Sequence, residues 1–538
     1  MPEFEFVSYV LDHGVAVRVP EGRPSAFDLR NHNSCKDPEM CALASEVLAQ
    51  EEANCFIASP PKFLLARCQW FHPLAVLPKG LDKCRLIHDY SAPAQSSINS
   101  HVDYVRTSYD KVDGAFRVMR QSCRLAKIDI TAFSRHIPLD AADWELMAFR
   151  WDGRTFVDTR LNFGQRNAPE ISWRFTQCIY AAVQRDIPTL GLASWFHVFV
   201  CCDDWLVVAM TEQDCRVVWE FLLNMLTQLG FEINRLPHKC IAPCRELTWL
   251  GLQLNVSNMT VALPQEKVTK ALSVVRTVLH AKTVTRQQLD SLFGYLSYCS
   301  AVLFGGRAFL HGLHRLRFRS DGELRAKHHR VHVSLGLGED MNWWVSHLEL
   351  LNGDKRVPII ACGVPNESCE VYLDARGGSG GVGAFIDGGF VGLSGADCNR
   401  LFPNLSPGVS RSVGGGRRAQ PSVEANHWEL FAFVVLLDLF PAVVRDRYLV
   451  VRSDSMSAIK CVRDLHAGVD CVELAHLTRV VLSLCVRLNC RLCPVHVAGS
   501  ENRLADPLSR GKWTDFCEAA GAWVLQQHSI VSPFLSSV

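Results

Sequence analysis

Apolar positions along this chain follow two rhythms, and the change between them divides it. Between residues 71 and 255, short runs alternate apolar and polar positions with turn residues between them, which predicts a series of strands. Residues 127–130 (KIDI) read as a strand carrying one acid, Asp129, among apolar neighbours. Residues 196–209 (FHVFVCCDDWLVVA) set Asp203 and Asp204 between two β-branched runs, the pattern of a hairpin with its acids at the tight turn. From Pro264 the rhythm turns helical. Val268, Leu272, Val275 and Leu279 share one face, and Leu289, Leu292 and Leu296 share another in a helix that Thr285 and Gln288 are spaced to cap. A strand at 370–374 opens a second region of strands and helices that runs to about residue 510, with a loop rich in Gly, Ser, Pro and Arg at 406–422. Residues 1–60 carry few motifs and are left as a leader of undefined structure. No internal repeat is present.

Composition narrows the class. A length of 538 residues suits three or four domains of ~150 residues. With 48% hydrophobic and 21% charged residues, the chain is globular rather than disordered. A formal net charge of +1 advertises no polyanionic partner, so any such groove must be local. Residues 307–332 are the local exception: Arg307, Arg315, Arg317, Arg319, Arg325, Lys327 and Arg330 outnumber Asp321 and Glu323. The longest apolar run, 431–444, is broken by Asp438 and Pro441 and falls short of the ~20 residues a membrane span needs, so no membrane partner is expected. The first residues lack a basic segment followed by an apolar run. That predicts no secretion signal, a cytoplasmic or nuclear location, and free thiols for the 22 cysteines.

The chemistry lies in two sets of acids. Neighbouring strands would bring Asp129 beside Asp203 and Asp204. Three clustered carboxylates repel one another, and two Mg²⁺ ions would neutralise them while clamping the attacking and leaving oxygens of an in-line phosphoryl displacement. Alone, an Asp-Asp pair is as readily a plain hairpin turn. The second set is Asp374 at a strand end, Glu429 on an apolar helix (NHWELFA, 426–432), Asp454 after the strand 448–453, and Asp506 in 495–510. Each could equally be a cap or a surface charge. The glycine run after Asp374 matches a dinucleotide-binding pattern (378–383) and a serine nucleophile elbow (377–381). Both need a helix next, whereas residues 382–391 read as a strand, a turn and a strand, so both are rejected. Cys490, Cys493 and His496 are rejected as a zinc site because a strand would turn Cys490 and Cys493 to opposite sides. The pairs Cys35 and Cys41, and Cys240 and Cys244, are weaker still.

Blocks in a fixed order carry a resemblance. They are PKGLDKCRLIHDY (78–90), SSIN (96–99), DITAFSRHIPL (129–139), FVDTRLNFGQRNAP (156–169), CCDD (201–204) and WLGLQL (249–254). After them come residues 289–296, Gly306-Arg307 and DMNWWV (340–345), then the four later acids in order. Together, over about residues 65–510, these resemble the reverse transcriptase and ribonuclease H of retroelements, especially the DIRS-like and Ngaro-like group with tyrosine recombinases.

The resemblance implies an α+β polymerase right hand of fingers, palm and thumb, followed by an α/β ribonuclease H-like domain with a mixed sheet. The implied division is fingers and palm at 61–262, thumb and connection at 263–365, ribonuclease H at 366–512 and a tail at 513–538. Asp129, Asp203 and Asp204 would hold two Mg²⁺ (or Mn²⁺) ions, and Asp374, Glu429, Asp454 and Asp506 two more. Arg85 and Lys79 would contact the incoming deoxynucleoside triphosphate. Phe163 would lie near its base or sugar, beside Gly164, which admits a close backbone approach; Phe133 is also placed there. The strand 249–254 would grip the primer end. The basic segment 307–330 would contact phosphates of an RNA template, DNA primer or RNA–DNA hybrid. Three positions depart from the family pattern. Cys201 stands where Tyr or Phe is usual, Ser134 where an aromatic gate is usual, and Glu501 where retroviral relatives often have His. A non-catalytic nucleic-acid scaffold descended from such an element, and a nuclease fused to an inert palm, are the alternative readings.

Overall fold

The computed structural model describes residues 2–17, 19, 22–79, 83–318, 329–354, 368–378, 380–405, 421–465, 467 and 471–527. It comprises two units, one of Met1–Leu250 with Asn255–Ser257 and one of Gly251–Leu254 with Asn258–Val538. The loop expected at 406–422 falls outside the described residues up to 420, as do Arg319, Asp321, Glu323, Arg325 and Lys327 of the basic segment and the expected domain boundary at 365.

In the first unit we label α1 (Pro2–His13), α2 (Pro38–Ala53), β1 (Leu74–Pro78), β2 (Cys84–His88), β3 (Arg124–Asp129), β4 (Arg154–Asp158), α3 (Ala168–Asp186), β5 (Phe196–Cys201), β6 (Asp204–Ala209), α4 (Glu212–Gln228), β7 (Ile241–Cys244) and β8 (Glu246–Trp249). A four-stranded antiparallel sheet in the order β7-β3-β6-β5 organises it. Alternation along these strands sends Ala126, Ile128, Val198, Val200, Trp205 and Val207 to one face. There they pack with Ile171, Phe175 and Ile179 of α3 and Val218, Leu222 and Leu226 of α4. Each such buried aliphatic side chain contributes roughly 1.5–3 kcal/mol. Thr211 caps α4 by accepting from the Asp214 N–H, and Pro169 opens α3.

Residues 2–58 are not a separate leader. Helix α1 packs on α3, Val10, Val15 and Val17 join the sheet's core, and Ala44 and Leu48 of α2 pack with Leu74, Phe149 and Phe156. Their weak periodicity hid them, because α2 buries only two of its sixteen residues. The expected strand at 249–254 is interrupted: Leu250 and Gly251 take positive φ, and strand resumes at Leu252.

In the second unit we label α5 (Gln265–His280), α6 (Arg286–Cys299), α7 (Leu335–Leu351), β9 (Ser368–Ala375), β10 (Gly381–Ile386), β11 (Gly389–Ser394), α8 (Pro421–Leu439), β12 (Tyr448–Ser453), α9 (Val472–Arg487) and β13 (Arg491–His496). Thr285 and Gln288 form the expected capping box of α6. The five-stranded sheet runs β11-β10-β9-β12-β13, antiparallel through β9 and parallel beyond it. Helix α8 is apolar almost all round from Leu430 to Leu437 because it is buried between β9, β10 and α9. The apolar run at 431–444 is thus core helix as far as Leu437 and turns outward beyond it. Among the described residues no helix is long and apolar enough to cross a membrane.

The glycines after Asp374 serve close packing. A Cβ on Gly383 would lie 2.3 Å from the Ala505 carbonyl oxygen and 2.6 Å from the Ser509 nitrogen, so this strand position accepts only glycine. The supposed tail begins with an anchor, since Phe516 is buried against Phe385 and Phe390.

Candidate active sites

Strand β3 lies beside β6 in a register that sets Asp129 directly opposite Asp204, which in turn faces Cys201 on β5. Directly opposed residues of antiparallel strands point to the same face. Asp129, Asp204 and Lys127 therefore share the sheet face opposite the helices. Asp203 sits on the turn, its carbonyl accepting from the Ile130 N–H at 3.0 Å. The turn is tight enough to force Cys202 to a φ of 59°. It is braced by the Thr176 hydroxyl, 3.1 Å from the Cys202 carbonyl, and by the Trp249 indole N–H, 3.3 Å from the Asp204 carbonyl.

Two lysines answer the acids. Lys239 Nζ donates to Asp129 Oδ2 at 2.8 Å, while Asn234 Nδ2 donates to Oδ1 at 3.0 Å. Lys127 Nζ, itself buried, lies 3.1 Å from Asp204 Oδ2. Burial pushes Asp204 up to about 6, with Asp129 and Asp203 adding to it and Lys127 opposing it. Asp203 is raised for the same reason, burial first and then Asp129. Neither lysine was anticipated. Lys127 was legible, two residues before Asp129 on one strand and so on its face; Lys239, 110 residues away, left no local signal.

The second set converges more tightly. Ligand oxygens of Asp374, Glu429 and Asp454 lie within 4.8 Å of one another, the one such group of His, Cys, Asp or Glu among the described residues. Parallel pairing of β9 with β12 delivers Asp374 and Asp454 to the same strand ends, and α8 supplies Glu429. Glu429 Oε2 is buried without a hydrogen-bond partner. Burial, then Asp374 and Asp454, push Glu429 up to about 9, while burial lifts Asp374 to about 6. An orphaned acceptor amid three convergent acids fits a hard divalent cation, as oxygen-only ligands require. Asp506 is not within that 4.8 Å group, though its charge adds to the rise of Asp374. Its carboxylate pairs with Arg510 at 2.7 Å, and its helix instead supplies the Ser509 hydroxyl that donates to Asp374. In the first unit no comparable trio forms among the described residues, and Lys127 and Lys239 sit on carboxylate oxygens there.

The nucleotide-contact residues divide. Lys79 and Arg85 are exposed on the β1–β2 hairpin. Phe163 is 63% exposed, and a Cβ on Gly164 would lie 2.4 Å from the His88 carbonyl oxygen, so glycine is obligatory there. Phe133 corrects the expectation. It is wholly buried and stacked on Phe231 at 5.3 Å, leaving no ring face for a nucleotide, and Ser134 beside it is equally buried.

Two solved structures are similar in fold. One is the foamy viral protease-reverse transcriptase dRH in complex with double-stranded DNA, at 16% identity and a TM-score of 0.50, covering 89% of this chain and 73% of that one. The other is the foamy viral protease-reverse transcriptase in complex with double-stranded DNA, at 16% identity and a TM-score of 0.50, covering 89% and 86%. No curated protein matches the chain. The fold is that of a polymerase right hand followed by a ribonuclease H-like domain with a mixed sheet. Residues 77–254 match the family model described as reverse transcriptase (RNA-dependent DNA polymerase), and the chain thus carries a reverse transcriptase domain.

Proposed function

We propose that the chain copies RNA into DNA for a retroelement of the DIRS-like or Ngaro-like kind, and that its C-terminal domain cuts the RNA strand of the resulting hybrid. The observation that carries this reading is the register that sets Asp129 opposite Asp204, beside Asp203, within the matched domain. Asp129 and Asp203 hold Mg²⁺ or Mn²⁺, with Asp204 in support, and the metals supply charge neutralisation for phosphoryl transfer. Lys239 must leave Asp129 for that to happen. Arg85 and Lys79 bind the triphosphate of a deoxynucleotide, and Phe163 with Gly164 supports its base and sugar. In the second domain Asp374, Glu429 and Asp454 hold the metals that hydrolysis requires, with Asp506 at the rim. Template RNA, primer DNA and their hybrid are the partners, an assignment in keeping with the DNA-bound state of the similar foamy viral proteins. The divisions at 61–262, 263–365 and 366–512 mark its working parts, with residues 2–58 packed into the first and Phe516 into the last.

Primer extension on an RNA template with Mg²⁺, parent against Asp203→Asn, tests the polymerase. Cleavage of a labelled hybrid, parent against Asp454→Asn, tests the nuclease. The seating of Lys239 on Asp129 favours a second reading, a nucleic-acid scaffold without catalysis. Background extension and background cleavage by the parent would establish it.

A further inference from the structure

Among the wholly buried carboxylates outside both acid sets, Asp158 stands nearest in sequence to the exposed Phe163. Asp158 ends β4, five residues before Phe163. A buried charge of this kind is tolerated only when paired and hydrogen-bonded, and its partners come from separate segments. Tyr90, just past β2, donates its hydroxyl to Asp158 Oδ2. His88 Nδ1 lies 3.1 Å from the same oxygen, a contact by distance rather than an aligned hydrogen bond. Arg135, six residues after Asp129 and itself buried, donates to Oδ1 at 2.5 Å and reaches Glu51 of α2 at 2.9 Å through its other nitrogen. Burial alone would raise Asp158; Arg135 above all, then His88 and Tyr90, hold it well below the usual carboxylate range.

The carboxylate passes this order to the turn that follows. Asn162 Nδ2 lies 3.4–3.5 Å from both Asp158 oxygens, and Asn162 Oδ1 accepts from the Gly164 N–H at 3.3 Å. Asn99 Nδ2 then donates to the Gly164 carbonyl at 2.9 Å, while Asn99 Oδ1 accepts from the Arg166 N–H at 2.8 Å. Leu161 donates its N–H to the Ile137 carbonyl at 2.9 Å. Every neighbour of Phe163 is pinned while its own ring stands in solvent.

We propose that Asp158 is the positioning residue of the nucleotide-binding turn, fixing Phe163 and Gly164 to the segment that follows the strand of Asp129 through Arg135 and to the β1–β2 hairpin through Tyr90 and His88. This rests on the reading of Phe163 and Gly164 as the nucleotide's support. It assigns Asp158, Arg135 and Tyr90 an effect on nucleotide use without contact with the nucleotide. It also explains an ionic network where apolar packing would be simpler: hydrogen bonds of fixed direction set an angle, and apolar contacts do not.

The test is steady-state primer extension with the full chain, measuring KM for deoxynucleotide, kcat, and primer–template affinity. Tyr90→Phe removes one hydrogen bond to a charged group and is expected to raise the nucleotide KM about tenfold. Asp158→Asn is expected to raise it roughly a hundredfold, the scale of a misplacement of about 1 Å. Primer–template affinity stays at the parental level in both. Because Asp158→Asn leaves the buried Arg135 with Glu51 as its one remaining carboxylate, the double variant Asp158→Asn/Arg135→Gln is included. It should regain the lost Tm but keep the raised KM, which separates positioning from mere stability. Parental KM in folded Tyr90→Phe and in the double variant would overturn the inference while leaving the polymerase reading intact. So would a parallel loss of nucleotide and primer–template affinity. A parent that extends no primer overturns the polymerase reading, and the inference with it.

Discussion

Replacing Lys127 with Met keeps the length and apolar stem of a buried side chain and deletes only its charge. Lys127 Nζ lies 3.1 Å from Asp204 Oδ2 and 3.3 Å from the Thr248 carbonyl oxygen, and both charged partners are largely shielded from water. At an effective dielectric of about 20, unit charges about 4 Å apart attract by about 4 kcal/mol, and removing one member of a buried pair costs about 3–5 kcal/mol. Asp204 stands at about 6 even with Lys127 present. In the variant it climbs further, and proton uptake relieves part of the strain, so a loss of about 3 kcal/mol is expected at neutral pH. For a unit of this size that lowers Tm by roughly 6–12 °C.

The informative part is the metal dependence. With all three acids ionised, Asp129, Asp203 and Asp204 set three negative charges against two positive charges from Lys127 and Lys239, a balance of −1; in the variant it reaches −2 only once Asp204 gives up the proton it has gained. A divalent cation then has only a proton to displace from Asp204, in place of a fixed ammonium. If Mg²⁺ binds about tenfold more tightly, it returns up to about 1.4 kcal/mol more to the variant than to the parent. Thermal unfolding across a Mg²⁺ series reads this directly, in an Asp454→Asn background that weakens the second site. Equal Mg²⁺-induced shifts in parent and variant would refute the argument that ammonium and metal compete for these carboxylates.

Other outcomes follow from the same geometry. Glu429 is raised by burial and by its acidic neighbours from an ordinary 4.5 to about 9, so in EDTA its contribution to stability is complete below pH 4.5 and lost as pH rises through about 9. Urea unfolding across that range should show the slope in the parent and not in Glu429→Gln; an identical slope in both would contradict it. Binding of Mn²⁺ at pH 7.5 should release about one proton, seen as buffer-dependent heat in calorimetry. Gly383→Ala forces the Ala505–Ser509 backbone away from β10, costing about 1–3 kcal/mol and abolishing hybrid cleavage while primer extension continues. Phe133→Ala should destabilise by about 3–5 kcal/mol, whereas Phe163→Ala should leave stability within about 0.5 kcal/mol and raise the nucleotide KM.

What could be read from the chain depended on how far a residue's partners lay from it. Asp203 and Asp204 declared themselves because both flanking strands are contiguous with the turn, and the period of two fixes their facing. Asp374, Glu429 and Asp454 were legible one at a time as strand ends and an acid on an apolar helix, yet their convergence depends on the parallel β9–β12 pairing, which no local pattern records. Phe133 misled because an aromatic near the strand of Asp129 looks like a contact, while its burial is decided by Phe231, 98 residues later. Asp158 looked like an ordinary polar residue at a strand end; only the folding together of Glu51, His88, Tyr90 and Arg135 makes it a hub. The same logic accounts for α1 and α2, whose apolar stripes are too narrow to register until α3 and β1 supply the other half of each contact. Sequence periodicity reports the face a residue turns inward, and chemistry at a site depends on what meets it there. The lysines on the candidate acids belong to that second kind of information. They leave the metal-free acids of the first unit paired with cations, while Glu429 in the second unit waits with an unsatisfied oxygen. The two sites should therefore differ in metal affinity, and the proposed hybrid cleavage should need less Mg²⁺ than the proposed primer extension.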